Sequence, residues 1–199
     1  MAVRTGERKL QILQILAEML QEPKAERITT AALAAKLQVS EAALYRHFAS
    51  KAQMFEGLIE FIEQTVFGLI NKVQGDEQSP AKQLHAILTM LLGFAEKNPG
   101  MTRVLVGDAL VNEDERLQAR INQLHDRLEA TIKQCLRLIA TEETAAAADA
   151  GSVRPIDDDT AARANALLCF VIGRWHQFSK SGFKRRPTEH WERQWPRLR

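Results

Sequence analysis

Residues that interrupt secondary structure are scarce in this chain. Its 199 residues include only six prolines and ten glycines. Apolar residues meanwhile recur at spacings of three and four along most of the sequence, which is typical of helices with one buried face. We therefore predict an all-α fold of about nine helices and no β-strand.

Cysteine is also rare, and its two copies, Cys135 and Cys169, lie far apart. Neither has a CxxC partner or a histidine at metal-ligand spacing, so the sequence indicates neither a disulfide framework nor a zinc site. Both cysteines lie among apolar residues and are interpreted as buried thiols.

The marks of an enzyme are missing as well. There is no HExxH, GxSxG or Gly-rich phosphate loop, and the histidines are scattered. The acidic triplet Asp157–Asp159 is interpreted as a linker or helix-start cluster in preference to a metal site. We therefore expect no catalytic activity, no metal and no cofactor.

No apolar run is long enough for a membrane span. The longest stretches without charge, residues 83–95 and 164–173, fall well short of the ~20 residues that a bilayer requires. Residues 1–11 also lack the charged start and apolar block of an export signal. Hydrophobic residues at 45% and charged residues at 26% are close to the globular average, so we expect a soluble cytoplasmic protein with a real core.

Charge is unevenly distributed although the net charge is only +2. Residues 1–51 carry eight Lys/Arg against five Asp/Glu, residues 52–173 carry eleven against eighteen, and residues 174–199 carry eight against two. A basic start on an acidic body suggests that the N-terminal end meets a polyanion. The basic run Lys184–Arg186 is interpreted as a solvated loop in preference to a nucleic-acid contact.

Apolar stripes and caps divide the chain into a small helical unit, residues 1–50, and a larger helical body, residues 51–199. In the small unit, Thr29 or Thr30 starts the second helix and Ser40 caps the third, and Ser50 at its end caps the long helix that follows. Further helices are predicted over about these ranges: 51–73, 81–97, 101–106, 112–139 and 160–180.

The chain on either side of the last of these helices is less regular in pattern. The stretch 141–159 is Ala-rich and then acidic, and we interpret it as a mobile connection between helices. Pro187 is predicted to open a final short helix that runs through Trp191 and Trp195, because proline is favoured at the first helical position.

The stretch from Ile28 to Lys51, ITTAALAAKLQVSEAALYRHFASK, has the parts of a DNA-reading helix-turn-helix. Such a motif needs a supporting helix, a tight turn, and a second helix whose outer face enters the ~12 Å major groove. Ala34 and Ala35 are small enough for the two helices to approach. The outer positions of the second helix are polar or small: Ser40, Glu41, Ala42, Tyr45, Arg46 and His47.

These side chains suit contact with DNA. The hydroxyls of Thr30 and Ser40, with helix-start N–H groups, can bind phosphates, and Ala42 can contact a thymine methyl. Three further side chains can bind phosphates: Tyr45, His47 and Lys51. The alternative is an ordinary helical hairpin with a polar outer face, which the basic start makes the weaker interpretation.

The segment TTAALAAKLQVSEAALYRHFASKAQMFEGLIE resembles the N-terminal DNA-binding domain of the TetR family of regulators. The resemblance implies that Glu41–Phe48 is the recognition helix and that Thr29 and Thr30 start the supporting helix. It also assigns phosphate contacts to Tyr45, His47 and Lys51. One departure is Gln38, where such turns commonly place glycine in a left-handed backbone.

The body narrows the resemblance to the nucleoid occlusion factors within that family. The segments that carry it are GLIEFIEQT, LLGFAEKNPGMTRVL, ERLQARINQL and FKRRPTEHWERQWP. Because the body is normally the least similar part of TetR-family proteins, agreement there is more specific than the helix-turn-helix. It implies a homodimer, with higher order on DNA left open, that binds pseudo-palindromic chromosomal sites. When bound to DNA, such a protein blocks division over the nucleoid by acting on the division protein FtsZ.

A groove for the acidic tail of such a partner needs an apolar lining and cationic rims. The helix that ends near Asn98 offers Met90, Gly93 and Lys97, and Phe61 on the preceding long helix could form the other wall. Glycine inside a helix costs roughly 1 kcal/mol relative to alanine, so close approach of a neighbouring helix or a peptide would explain it. The resemblance places the FtsZ-binding residues at these five positions. The alternative is that Phe61, Met90 and Gly93 only pack the body.

The last strongly apolar helix has more large side chains than one body needs, which favours dimerisation through them: Leu167, Phe170, Val171 and Trp175. Two-fold pairing would place two recognition helices about one duplex turn, ~34 Å, apart. The main alternative to nucleoid occlusion is a transcriptional repressor controlled by a small ligand in a closed cavity of the body.

Overall fold

The computed structural model describes residues 5–22, 28–149 and 159–198. Within these ranges the chain forms nine α-helices, one 3-10 turn and no strand, which confirms the predicted all-α class. The helices are α1 Thr5–Met19, α2 Thr30–Lys36, α3 Glu41–Tyr45, α4 Lys51–Asp76, α5 Pro80–Lys97, α6 Pro99–Leu105, α7 Glu115–Asp149, α8 Thr160–Lys180 and α9 Trp191–Leu198. No described helix combines the length and apolar character that a membrane crossing requires.

Side-chain caps set where the N-terminal helices begin. The Oγ1 atom of Thr29 accepts a hydrogen bond from a backbone N–H of α2 at 3.1 Å, and Ser40 Oγ accepts one from α3 at 3.3 Å. Ser50 Oγ does the same for α4 at 3.1 Å. Each cap satisfies one of the N–H groups that a helix start leaves unpaired. All three predicted starts are therefore confirmed.

The turn between α2 and α3 contains Gln38 with φ 56°, in the left-handed region. For an L-residue with a side chain this conformation costs roughly 1–2 kcal/mol. The turn is closed by hydrogen bonds from the Gln38 and Val39 N–H groups to the Ala35 and Ala34 carbonyls, at 3.1 and 3.0 Å. The strained turn that the sequence indicates is therefore present without glycine.

Three predicted helix limits are wrong. The recognition helix α3 ends at Tyr45 and not at Phe48, because residues 46–48 form a turn. Helix α7 continues through residues 141–149, which were predicted to be a connection. Alanine has the highest helix propensity, and the run 145–148 consists of alanine, so the helix is extended locally. The rest of that connection, residues 150–158, lies outside the described residues and includes Asp157 and Asp158.

The third wrong limit concerns the last helix, which begins at Trp191 and not at Pro187. The Arg174 guanidinium donates hydrogen bonds to the carbonyls of Arg186, Pro187 and Glu189 at 2.8, 3.1 and 2.7 Å. These three bonds fix residues 186–189 against α8 as a loop that ends in a turn. Proline opens no helix here.

The core runs from α1 through α4 into the body, where α5, α7 and α8 pack against one another. Trp175 is fully buried, and its Nε1 donates to the Leu91 carbonyl at 3.1 Å. Cys135 is buried as predicted, and burial raises the pKa of its thiol. Cys169 is exposed on the outer side of α8, so its predicted burial is wrong.

Helix α6 holds the N-terminal helices against the body. A Cβ atom added at Gly100 would lie 1.9 Å from the Ala17 carbonyl oxygen, so the α6 and α1 backbones are in direct contact. The Arg103 guanidinium also donates to the Leu20 carbonyl at the end of α1, at 3.3 Å. These contacts position α1, and with it the helices that pack on α1, relative to the body.

Candidate nucleic-acid and peptide interfaces

The outer face of α3 is open to solvent while its inner face is anchored in the core. Leu44 is 1% exposed and Phe48 is 8% exposed, so these two residues anchor α3 to the core. Glu41, Ala42, Tyr45 and Arg46 are exposed, as predicted for a surface that reads DNA. Of the two small residues of α2, Ala34 is buried at the α2–α3 contact. Ala35 is exposed, so its predicted role in that contact is wrong.

A polar network ties the start of α2 to α3. The Thr30 hydroxyl donates to Glu41 Oε2 at 2.6 Å, and the Tyr45 hydroxyl donates to Thr30 Oγ1 at 3.5 Å. Because its proton is used within the chain, Thr30 positions Glu41 and Tyr45 rather than presenting a free donor. The sequence places these three residues in one motif but does not reveal their hydrogen bonds.

The capping residues Thr29 and Ser40 retain a donor for a ligand. Each hydroxyl oxygen accepts a backbone hydrogen bond, and a hydroxyl group has in addition one O–H proton to donate. Both residues are exposed. His47 is half-buried, and its Nδ1 atom has no hydrogen-bond partner. Thr29 and Ser40 can therefore bond a phosphate without giving up their caps.

Lys51 occupies a different environment from the other predicted phosphate-binding residues. Its ammonium pairs with the carboxylate of Glu113, which lies in the loop before α7. The ammonium also lies 5.6 Å from the centre of the Phe55 ring. The two paired side chains are only 22% and 9% exposed, respectively. Sequence reasoning missed Glu113, because no local pattern links residues separated by 62 positions.

The predicted peptide-binding residues lie on α4, on α5 and just after α5, and these two helices pack against each other. Phe61 and Met90 are half-buried and pack against the core. Lys97 is exposed in the last turn of α5. Asn98 follows this helix, and its side-chain amide donates to the Phe94 carbonyl at 2.7 Å. The two helices thus carry two partly exposed apolar side chains, Phe61 and Met90, and one exposed cation, Lys97.

Gly93 lies in the same face of α5, and a Cβ atom added there would meet nothing within 4 Å. Close approach of a neighbouring helix is therefore not the reason for this glycine, and that part of the expectation is wrong. The gap that it leaves opens outward from α5. The other explanation that the sequence offered, close approach of a peptide, is the one that remains.

The residues predicted to dimerise do not all face outward. Leu167, Val171 and Trp175 are 2%, 0% and 0% exposed, and they pack in the core of the chain itself. The prediction that these three meet a partner is wrong, because the body uses them to bury α8. Phe170 is half-buried, with its ring 5.8 Å from that of Trp191.

A pocket lies at the end of the body where α5 and α8 begin and α7 ends. Its volume is about 550 Å³, and its lining includes Lys82, His85, Arg163 and Trp195. Exposed residues such as Lys82 and Glu143 form part of the wall, so the pocket opens to solvent. Across the described part of the chain, no cluster of His, Cys, Asp and Glu side chains is suited to hold a metal ion.

Comparison with known proteins identifies the family. A family model of bacterial regulatory proteins of the tetR family matches residues 12–58, and an SlmA-like model, tetracyclin repressor-like C-terminal domain, matches residues 79–199. The nucleoid occlusion factor SlmA of Alteromonas mediterranea is 50% identical over 98% of this chain and 95% of its own. The SlmA of Idiomarina loihiensis is 51% identical, with the same coverage. The chain belongs to the SlmA family.

The SlmA-family assignment agrees with the fold. A TetR-like transcriptional regulator from Rhodococcus sp. RHA1 superposes with a TM-score of 0.73 at 18% identity, covering 99% of this chain and 98% of that one. The chain therefore has the TetR-type fold, which is shared at low sequence identity. Members of these families are regulators, which confirms that the chain is not an enzyme.

Proposed function

We propose that the protein is a sequence-specific DNA-binding nucleoid occlusion factor. Bound to chromosomal sites, it inhibits cell division by antagonising assembly of the FtsZ ring over the nucleoid. The observation that carries this proposal is identity of about half to proteins named nucleoid occlusion factor SlmA, over 98% of the chain. This identity extends over the body, which is the part of the sequence where a repressor with a different function would differ from these proteins. The protein then acts in the cytoplasm, associated with the nucleoid.

The outer face of α3 provides the DNA-reading surface. Ala42 is exposed and small, so it can approach a thymine methyl, while Glu41 and Arg46 can reach base edges or backbone. Thr29, Ser40 and Tyr45 offer hydroxyl groups to the phosphates on either side. His47 and Lys51 complete the phosphate contacts, and Thr30 orients Glu41 and Tyr45.

A dimer places two such faces on one duplex. The exposed side of α8, next to the half-buried Phe170, is the surface available for pairing: Asn165, Ala166, Cys169, Gly173 and His176. Two-fold symmetry requires that the site be pseudo-palindromic, with half-sites about 34 Å apart.

The α4–α5 surface receives the acidic tail of FtsZ. Phe61 and Met90 provide apolar contact, Lys97 provides the cation, and the Asn98 amide retains its carbonyl oxygen as an acceptor. The space in front of Gly93 admits a peptide backbone close to α5, because nothing in the chain occupies it.

Polymerisation of purified FtsZ tests the proposal as a whole. The protein is added with a pseudo-palindromic duplex selected by its own binding, and again with a scrambled duplex of the same composition. We expect polymers to be disrupted only with the selected duplex. Tight specific DNA binding without any effect on FtsZ would refute nucleoid occlusion and leave a repressor.

The repressor is the second candidate, and the 550 Å³ pocket at the end of the body is the observation that favours it. A repressor would release its duplex when a small molecule fills this pocket. Substitution of Arg163 by Trp, which narrows the pocket, would then leave the duplex bound in the presence of that molecule. A nucleoid occlusion factor would bind the duplex equally well with and without the small molecule, whether or not Arg163 is substituted.

A further inference from the structure

The Lys51–Glu113 pair joins the DNA-reading end of the chain to the body. Lys51 is the first residue of α4 and follows the turn after α3. Glu113 lies on the body side, in the loop between the 3-10 turn Asp108–Leu110 and α7. A cation expected to bind a DNA phosphate is therefore already neutralised by a carboxylate of the body.

Because the pair is buried, removing only Lys51 from it has a high cost in free energy. The Glu113 side chain is only 9% exposed, and weakening the interactions of a buried charge is penalised far more than weakening those of an exposed one. The same carboxylate repels a phosphate that approaches Lys51, because both are anionic. Lys51 therefore cannot transfer to a phosphate unless the environment of Glu113 also changes.

The segment that carries Glu113 is attached to α8 at its other end. Asp108 Oδ1 pairs with Lys180 Nζ at 2.7 Å, and Asp108 Oδ2 accepts a hydrogen bond from Ser179 Oγ at 2.7 Å. Gly107 and Asn112 have positive φ values of 79° and 63°, so the segment turns sharply between its two attachments. Because this segment is short and sharply turned, a displacement of Glu113 should also move the end that is bonded to α8.

We propose that Glu113 is a positioning residue that holds Lys51 away from the DNA backbone in the free protein. On binding, Lys51 exchanges the Glu113 carboxylate for a phosphate, and residues 107–114 rearrange against α8. Glu113 thus lowers DNA affinity and makes the conformation of the body depend on DNA. This inference rests on the proposed role of Lys51 as a phosphate contact.

A double-mutant cycle on DNA affinity tests the exchange. Binding of E113Q, K51A and the double variant is measured by fluorescence anisotropy over a salt series, with the selected and the scrambled duplex. We expect E113Q to bind both duplexes about three- to tenfold more tightly, because the neutral amide holds Lys51 less strongly. K51A should bind more weakly, with a salt slope lower by about 0.9. In the K51A background, E113Q should change affinity less than twofold.

Glu115 provides the matched control. It is exposed at the start of α7, two positions from Glu113, and E115Q removes the same charge. E115Q should bind as the wild type does. Equal or weaker DNA binding by E113Q, or the same tightening in the K51A background, would overturn the proposal. An unchanged salt slope in K51A would instead refute the phosphate role of Lys51, and failure of the wild type to bind any selected duplex would refute the proposed function.

Hydrogen exchange gives a readout that does not depend on the folding of E113Q. Backbone amides of residues 107–114 are compared in the wild type and in K51A, with and without the selected duplex. We expect the duplex to change their protection in the wild type and to leave it unchanged in K51A. Unchanged protection in the DNA-bound wild type would contradict the exchange.

Discussion

The outer faces of α3 and α5 are both proposed to bind a macromolecule, but they are held in different ways. Helix α3 has five residues, and its position depends on caps and on side-chain bonds to other elements, such as Thr30 to Glu41. Helix α5 has eighteen residues, eight of which are buried. Binding at α3 should therefore respond to changes in distant contacts, whereas α5 itself should hold its position more firmly than α3 does.

The largest effect is expected at the centre of the α3 face. In A42E a carboxylate replaces a methyl group that we propose meets base edges, so specific DNA affinity should fall by about 100-fold or more. Anisotropy with the selected duplex measures this loss. A119E on the exposed side of α7 is the matched control and should bind normally. Retention of specific binding by A42E would show that α3 does not enter the major groove.

The next effect concerns the junction that joins the two regions. In G100A the new Cβ would lie 1.9 Å from the Ala17 carbonyl oxygen, so we expect the free energy of unfolding to fall by about 3 kcal/mol. Urea denaturation followed by circular dichroism measures it. G6A is the control, since a Cβ at that position of α1 meets nothing within 4 Å. Equal stability of the two variants would mean that α1 and α6 are not in backbone contact.

Reversal of the Lys97 charge tests whether the α5 face acts independently of α3. K97E should weaken binding of an FtsZ tail peptide about tenfold, because it replaces the cation of the surface with an anion. DNA affinity should not change. K82E on the same helix is the control, as Lys82 lies at the opposite end of α5. Normal binding of the tail peptide by K97E would show that the peptide binds at a different surface.

A smaller effect is expected at Gly93, where space and helix propensity act in opposite directions. G93A should stabilise the fold by about 1 kcal/mol or less, since alanine favours the helix and its Cβ finds open space. The same methyl group should weaken the tail peptide by occupying its path. G75A near the end of α4 should not affect the peptide. Stabilisation without weaker peptide binding would show that the peptide does not pass Gly93.

The last prediction places acid sensitivity in the body. Burial lowers the pKa of His125 below its usual value, so this group binds its proton more readily in the unfolded chain. Its contribution to the free energy of unfolding is therefore present above about pH 6.5 and is lost as the pH falls below it. Urea denaturation at several pH values should show a shallower decline for H125N than for the wild type. Parallel curves would contradict this.

The sequence predicted best those features that depend on neighbouring residues. The caps at Thr29, Ser40 and Ser50 act over three positions, and Gln38 departs from a local turn pattern, so all four could be recognised. The end of α7 was missed because a run of alanines has no packing pattern, although its propensity is high. The start of α9 was missed because Arg174, distant in sequence, holds the preceding loop.

The candidate sites follow the same division. Five of the six residues predicted to be exposed on the α3 face are exposed, because the helix-turn-helix pattern fixes which side is buried; the sixth, His47, is half-buried. The pairing of Lys51 with Glu113 could not be predicted, because it depends on how α4 packs beside the loop before α7. Leu167, Val171 and Trp175 were assigned to a partner because apolar periodicity shows that a face is buried without showing what buries it.

Helix α4 is a single unbroken rod of 26 residues that begins at Lys51. Phe61 lies about ten residues further along it, a distance of roughly 15 Å at the rise of an α-helix. A tilt of about 5° at the DNA end therefore shifts the wall of the peptide groove by roughly 1 Å over this length. A change of that size decides whether an aromatic ring makes contact. A tilt of α4 on capture of one phosphate would therefore reach a second surface through the same helix, alongside the proposed rearrangement of residues 107–114.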